Sequence, residues 1–282
     1  SCKFAIYAVQ PLRYDYIYID ASTEKVLLVD PIIKHADGNA VTRYSGSRTI
    51  STSITTDGRY TLKDTVGNYN VATWNLNKGS NYLGASEFTD NDNSWTDAEF
   101  NNSNFDHVAL DAHWGAMKTS DYFKLKHNRN SFDNNGARIN SYVHYSVGYV
   151  NAFWNGTSMT YGDGDGIYYF PLTTLDICGH EIAHAVCEYS ANLIYSYESG
   201  ALNESLSDIW GACVEYFSDP QKNTWLLADE CSVTGTPFRS MSNPNSQGQP
   251  DTYKGNYWYT GSADNGGVHY NSGVMNFWFY LL

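Results

Sequence analysis

The stretch Leu175-Asp176-Ile177-Cys178-Gly179-His180-Glu181-Ile182-Ala183-His184-Ala185-Val186-Cys187-Glu188-Tyr189 decides how the rest of the chain reads. Its apolar residues recur at helical spacing and predict a helix over Leu175–Tyr189. At i and i+4 the imidazoles of His180 and His184 leave one face about one turn apart, a spacing that can hold one metal ion. Nineteen residues separate His184 from Glu204, which stands in Asn203-Glu-Ser-Leu-Ser-Asp208 on a second predicted helix, Gly200–Phe217. One antiparallel return brings Glu204 back to the histidines. Asp208, one turn further along the same face, is placed to accept the free ring N–H of a ligating histidine. A catalytic zinc needs three protein ligands and an open position for water, and His180, His184 and Glu204 are the candidates. The bland alternative is a helix with two unrelated histidines beside a charged pair on a wet face. Cys178 leaves the helix at the wrong angle to share the face of His180.

Outward from this stretch the chain changes character. Upstream, Phe4–Val9, Tyr16–Ile19 and Val26–Val29 read as short strands of a hairpin around the turn Asp20–Lys25, and His35–Ala40 has the chemistry of a turn or linker. Val41 to Trp74 alternates like antiparallel sheet with one wet face, and Asn75–Asp106 is loop-rich. Asp106 is a candidate cap for a helix over His107–His127, in which Leu110, Trp114, Met117 and Tyr122 mark one face. Strands are expected at Ile139–Val147 and Ala152–Tyr161, closed by the turn Gly162-Asp-Gly-Asp-Gly166, where Asp163 and Asp165 read as turn residues. Downstream lies a last apolar helix from Val274. The expectation is a β-rich lobe followed by an α-rich one.

Composition narrows the function classes. Among 282 residues, 17 Lys and Arg face 30 Asp and Glu, a net charge of −13, so no basic surface exists to neutralise phosphates. Nucleic acid is excluded as a partner. No apolar run reaches membrane-spanning length. Aromatic residues make up 16%, enough for a packed globule. The odd count of five cysteines leaves at least one thiol unpaired, and the acidic, lysine-poor composition leans to a secreted, extracellular protein.

His180–His184 continues into Ala185-Val186, Tyr189, Leu193-Ile-Tyr195, Ser199-Gly-Ala-Leu-Asn-Glu204 and Ser207-Asp208. With Asn151-Ala-Phe-Trp-Asn-Gly156, Tyr161–Gly166, Arg239-Ser-Met-Ser242 and Asp264-Asn-Gly-Gly-Val-His-Tyr-Asn-Ser-Gly273, these residues resemble the thermolysin-like zinc metallopeptidases. The resemblance is continuous from about Val108 to Leu282 and looser over Val41–Phe105. It implies an α+β, two-lobe fold with the active-site helix between the lobes. Residues 1–37 resemble a propeptide-like β-hairpin remnant, with a maturation cut near His35–Ala40. Residues 38–170 would form the β-rich catalytic lobe and 171–282 an α-helical lobe that stops short of the family's full length.

The resemblance also implies roles. His180, His184 and Glu204 would bind Zn²⁺, with Asp208 behind them and Glu181 as general base. Tyr195 and His269, the latter oriented by Asp264, would stabilise the oxyanion. Asn151 and Ala152 would pair with an extended substrate, Arg239 would hold a substrate carbonyl, and Ile177 and Phe238 would wall an apolar pocket. Ca²⁺ is implied at Asp176, Glu215 and Asp229, although Thr224 and Leu226 stand where carboxylates are expected. The function so implied is a secreted zinc endopeptidase that cuts internal peptide bonds of proteins beside apolar residues, with its own propeptide as a further partner. A zinc exopeptidase and a catalytically lapsed metal-dependent adhesion module are the alternatives.

Overall fold

Why the chain folds around one buried helix follows from Val108–His127 (α1), whose first three turns are buried on every side, Asp111 and His113 included. Such a helix has to be covered all round and its buried polar groups paired. Two sheets and two further helices do this in the computed structural model, which describes residues 1–9, 12–31, 35–64 and 69–282. Leu110, Trp114 and Met117 lie in one core with Ile50, Val71, Ile139 and Met159 from the sheets and Leu175, Cys178 and Ile182 from the next helix. Asp106 does not cap α1. The cap position is His107, without a side-chain bond, and the Asp106 carboxylate accepts instead from Asn102 at 2.8 Å and pairs with His144 at 3.3 Å.

The N-terminal strands Cys2–Val9 (β1), Leu12–Ile19 (β2) and Val26–Pro31 (β3) form a three-stranded antiparallel sheet of their own. The segment read as a turn or linker is a strand. His35–Val41 (β4) pairs antiparallel with Ser47–Ile54 (β5) along its whole length, inside a five-stranded sheet. Its side chains carry no apolar alternation because Gly38 and Ala40 are the buried positions, and a Cβ at Gly38 would collide with Asn93. Backbone pairing therefore supplies what pattern does not.

The second sheet is mixed, not purely antiparallel. Val71–Asn75 (β6) runs parallel to Ile139–Val143 (β7), which is also parallel to Met159–Tyr161 (β9). The expected long strand after Ala152 is a hairpin of Ala152–Trp154 (β8) and β9, turning where Asn155 N–H meets Ser158 O at 3.1 Å. β8 is the sheet's edge.

Leu175–Glu188 (α2) buries every residue except His184 and Glu188. Cys178 faces α1, where a Cβ on Gly115 would lie 2.7 Å from its own Cβ, so it points away from the face that carries His180. On another side α2 meets Tyr197–Ser218 (α3) through glycines. A Cβ on Gly211 would come within 2.5 Å of Asp176 O, and one on Gly179 within 3.0 Å of Gly211 Cα. This close approach lets short carboxylate side chains on α3 reach imidazoles on α2. Ala263–Asn271 (α4), interrupted by the non-helical residues Asp264–Gly267, and Gly273–Leu281 (α5) follow. Among the described residues no helix is long and apolar enough to cross a membrane, and all five cysteines are free thiols.

Candidate metal centre

The glycine contact between α2 and α3 brings His180, His184 and Glu204 together. Among the described residues they are the one group of three His, Cys, Asp or Glu side chains whose donor atoms all lie within 4.8 Å of one another. The Nε2 atoms of His180 and His184 are 3.0 Å apart, and Glu204 oxygens lie 3.6 and 3.3 Å from them respectively.

The second ring nitrogens decide what these atoms are. His180 Nδ1 lies 2.8 Å from Asp208 Oδ1. Burial would raise the Asp208 carboxyl, but Arg239 and His180 hold it well below the usual range, so an ionised carboxylate faces His180 Nδ1 and favours the tautomer with its proton on that nitrogen. Ser207 Oγ donates to Asn203 O at 2.9 Å, which leaves it an acceptor toward His184 Nδ1 at 3.1 Å; Asn203 Oδ1 accepts from the same nitrogen at 2.8 Å. Both Nε2 atoms therefore present lone pairs to each other and to a carboxylate. Glu204 is fully buried, and its Oε2 has no hydrogen-bond partner among the described residues. Three converging donors with no proton to share demand a cation. Burial lowers the His184 imidazole, yet Glu204 outweighs it and pushes the group up to about 9, so that without a metal cation a proton takes its place beside the carboxylate. Two imidazoles and one carboxylate suit Zn²⁺ with a position left open.

Around this group Asp208 is a hub. Arg239 grips it through Nε at 2.7 Å and Nη2 at 2.6 Å, and Asn276 Nδ2 on α5 donates to it at 2.7 Å. Asn276, with Asn203 and Ser207, was missed as a supporting residue. Asn203 and Ser207 fall at i and i+4 on α3, the sequence signal that could have found them, whereas nothing local marks Asn276. Arg239, expected to hold a substrate carbonyl, is in a buried ion pair with Asp208 and also lines the cleft.

Glu181 is buried and lines the cleft, with no hydrogen-bond partner among the described residues. Burial raises its carboxyl, partly offset by both imidazoles. Tyr195 donates its hydroxyl to Glu204 Oε1, and His269 Nε2 lies 3.3 Å from both of those oxygens. Asp264 holds His269 twice, at Nδ1 (2.6 Å) and at its backbone N–H (2.9 Å). Four successive left-handed residues, Asp264–Gly267, make that loop; side chains on Gly266 and Gly267 would strike Tyr197 and Tyr259. Asn151 and Ala152 border the same cleft at the open edge of β8, and Ile177 and Phe238 line it as well.

Other expected residues lie elsewhere. Asp165 serves its turn, accepting from the backbone of Ile167, Tyr168 and Tyr169. Asp163 pairs with His144 at 2.7 Å, a partner that sequence spacing did not suggest for this histidine. Asp176, Glu215 and Asp229, expected as calcium ligands, do not form a converging donor group.

A helix-borne His-Glu-x-x-His completed by a glutamate on the next helix defines a zincin-type metal centre. Comparison specifies the family. Residues 37–188 match the thermolysin metallopeptidase catalytic domain and residues 191–282 its alpha-helical domain, so the chain belongs to the thermolysin metallopeptidase family. It is 42% identical over 277 residues to a bacillolysin of Brevibacillus brevis, covering 97% of this chain and 49% of that protein. To a thermolysin of Alicyclobacillus acidocaldarius it is 42% identical over 229 residues, covering 80% and 40%. The precursor of protealysin, a metalloproteinase from Serratia proteamaculans, superposes with a TM-score of 0.66 at 35% identity, over 78% of this chain and 70% of that one. The chain thus spans about half or less of the length of the curated relatives it matches.

Proposed function

We propose that the protein is a secreted zinc endopeptidase that hydrolyses internal peptide bonds beside apolar residues. The observation that carries this reading is the convergence of His180 Nε2 and His184 Nε2, 3.0 Å apart, on the buried Glu204 carboxylate, one oxygen of which has no hydrogen-bond partner among the described residues. When bound by His180, His184 and Glu204, zinc supplies an acidified water and a polarised carbonyl.

The chain's own residues do the rest. The Glu181 carboxylate takes the proton of the attacking water and returns it to the leaving amine. Its raised pKa suits a group that must do both. Tyr195 would turn its hydroxyl from Glu204 toward the oxygen on which charge develops, and His269, its ring held by the Asp264 clamp at Nδ1, stands beside the same oxygen. The open edge of β8 accepts an extended peptide by strand addition at Asn151 and Ala152, with Arg239 holding a carbonyl beside the metal. Ile177 and Phe238 select an apolar side chain.

Residues 1–37 are read as a propeptide remnant, 38–170 as the β-rich lobe and 171–282 as the helical lobe. The separate sheet of β1–β3 and the family match from residue 37 support this division. A cut near His35–Ala40 then falls within paired β4, so maturation requires that strand to open first. N-terminal sequencing of active protein would show the cut, and a start at Ser1 would refute it.

The function is tested by metal analysis with chelation and zinc restoration, assayed on a protein substrate and on peptides blocked at both ends. Zinc-dependent cleavage of the blocked peptides is expected. Cleavage of free-ended peptides only would indicate an exopeptidase, and stoichiometric zinc without turnover a binding module.

A further inference from the structure

The family resemblance implies calcium at Asp176, Glu215 and Asp229, and the residues present do not fit it. Asp176 has both oxygens engaged by protein donors. Oδ1 accepts from Thr174 Oγ1 and from Ile177 N–H at 2.8 Å, and Oδ2 accepts from Ala228 N–H at 2.6 Å. Calcium takes six to eight oxygens, largely from ionised carboxylates. Here Thr224 and Leu226 bring none to the loop beside Glu215.

A cation already stands there. Lys222, at the start of the same loop, places Nζ 2.6 Å from Glu230 Oε2 and 3.9 Å from Glu215 Oε1. Its side chain is 15% exposed and that of Glu215 4%.

We propose that the ammonium of Lys222 is the resident cation of this acidic cluster and stands in the place of calcium, so that the α2–α3 pair holds together without Ca²⁺. The exchange is one of mechanism: a tethered charge cannot dissociate, whereas the stabilisation from a bound ion grows only with the logarithm of its free concentration and vanishes when the ion is removed. This inference does not rest on the peptidase reading, since it is read by thermal unfolding and calorimetry and not by turnover.

The test uses the full, zinc-loaded chain, freed of calcium and titrated with millimolar CaCl₂ at constant ionic strength. Wild type and Glu215→Gln, whose amide removes the charge a calcium ion would need, should give superimposable calcium isotherms, with no shift of the wild-type Tm. Lys222→Ala should lower Tm by about 5 °C or more, because it strands a buried carboxylate, and Lys222→Arg should restore most of the loss. A calcium equivalent bound by wild type and lost in Glu215→Gln would overturn the proposal. So would a Lys222→Ala variant with unchanged Tm. Should Lys222→Ala not fold, the wild-type and Glu215→Gln isotherms still decide.

Discussion

Two buried polar clusters bridge α2 and α3, and they solve the same electrostatic problem in opposite ways. Around His180, His184 and Glu204 every ring proton is turned outward to Asp208, Asn203 or Ser207, and the lone pairs converge on an empty charge requirement. Around Glu215 and Glu230 the chain inserts its own ammonium. The difference teaches that a cluster of ligand-type residues is a metal site only when its supporting hydrogen bonds withhold protons from the donors. Buried glutamates are common to both clusters, and what stands ready to neutralise them separates the two.

The largest effect expected from this contrast is on chemistry. Glu181→Gln should keep its zinc and lose turnover by roughly 10²–10⁴-fold, because an amide can hydrogen-bond water but cannot take its proton. Zinc content measured beside hydrolysis of a blocked peptide checks this, and unchanged turnover would remove Glu181 from the mechanism. Next comes the residue that withholds the proton. Asp208→Ala should weaken zinc binding roughly 10–100-fold. It should also cost about 3–5 kcal/mol by leaving Arg239 buried and unpaired. Chelator competition and thermal unfolding report the two losses separately.

His144 sharpens the comparison from a third place. It sits between Asp163 and Asp106, with a carboxylate at each ring nitrogen, so it satisfies the acids by protonating itself and leaves no lone pair for a metal. Burial would lower its pKa, but Asp106 and Asp163 raise it to about 9. Because the folded value exceeds the unfolded one, the stabilisation is complete below about pH 6.5 and is lost as pH rises through about 9. Its size is on the order of 3 kcal/mol. Unfolding followed across that window should fall for wild type and stay flatter for His144→Asn. The smallest effect belongs to Asn276, fully buried and hydrogen-bonded to both Ser205 and Asp208. Asn276→Ala should cost about 1–3 kcal/mol, with a slight loss of zinc affinity that a purely structural asparagine would not produce.

Much of the site was legible because its geometry is local. The i, i+4 spacing within one helix carried His180 to His184 and Glu204 to Asp208, and the same periodicity announced α1, α2 and α3. What failed was whatever depends on a distant partner. β4 looked like a linker because its buried positions are Gly38 and Ala40, whose burial is set by β5 and Asn93. Asp106 looked like a helix cap until His144 and Asn102 claimed its carboxylate. Lys222 and Asn276 carry no pattern at all; the folded contacts alone give them Glu230 and Asp208 as partners.

By itself, then, the order of residues determined which side chains stand one helical turn apart, and hence which donors could share an ion, because helical pitch is a property of the backbone. Only the tertiary structure decided where each proton lies and which charges are already neutralised. Those depend on neighbours brought close by packing, through contacts such as Gly179 against Gly211, and no local periodicity encodes them.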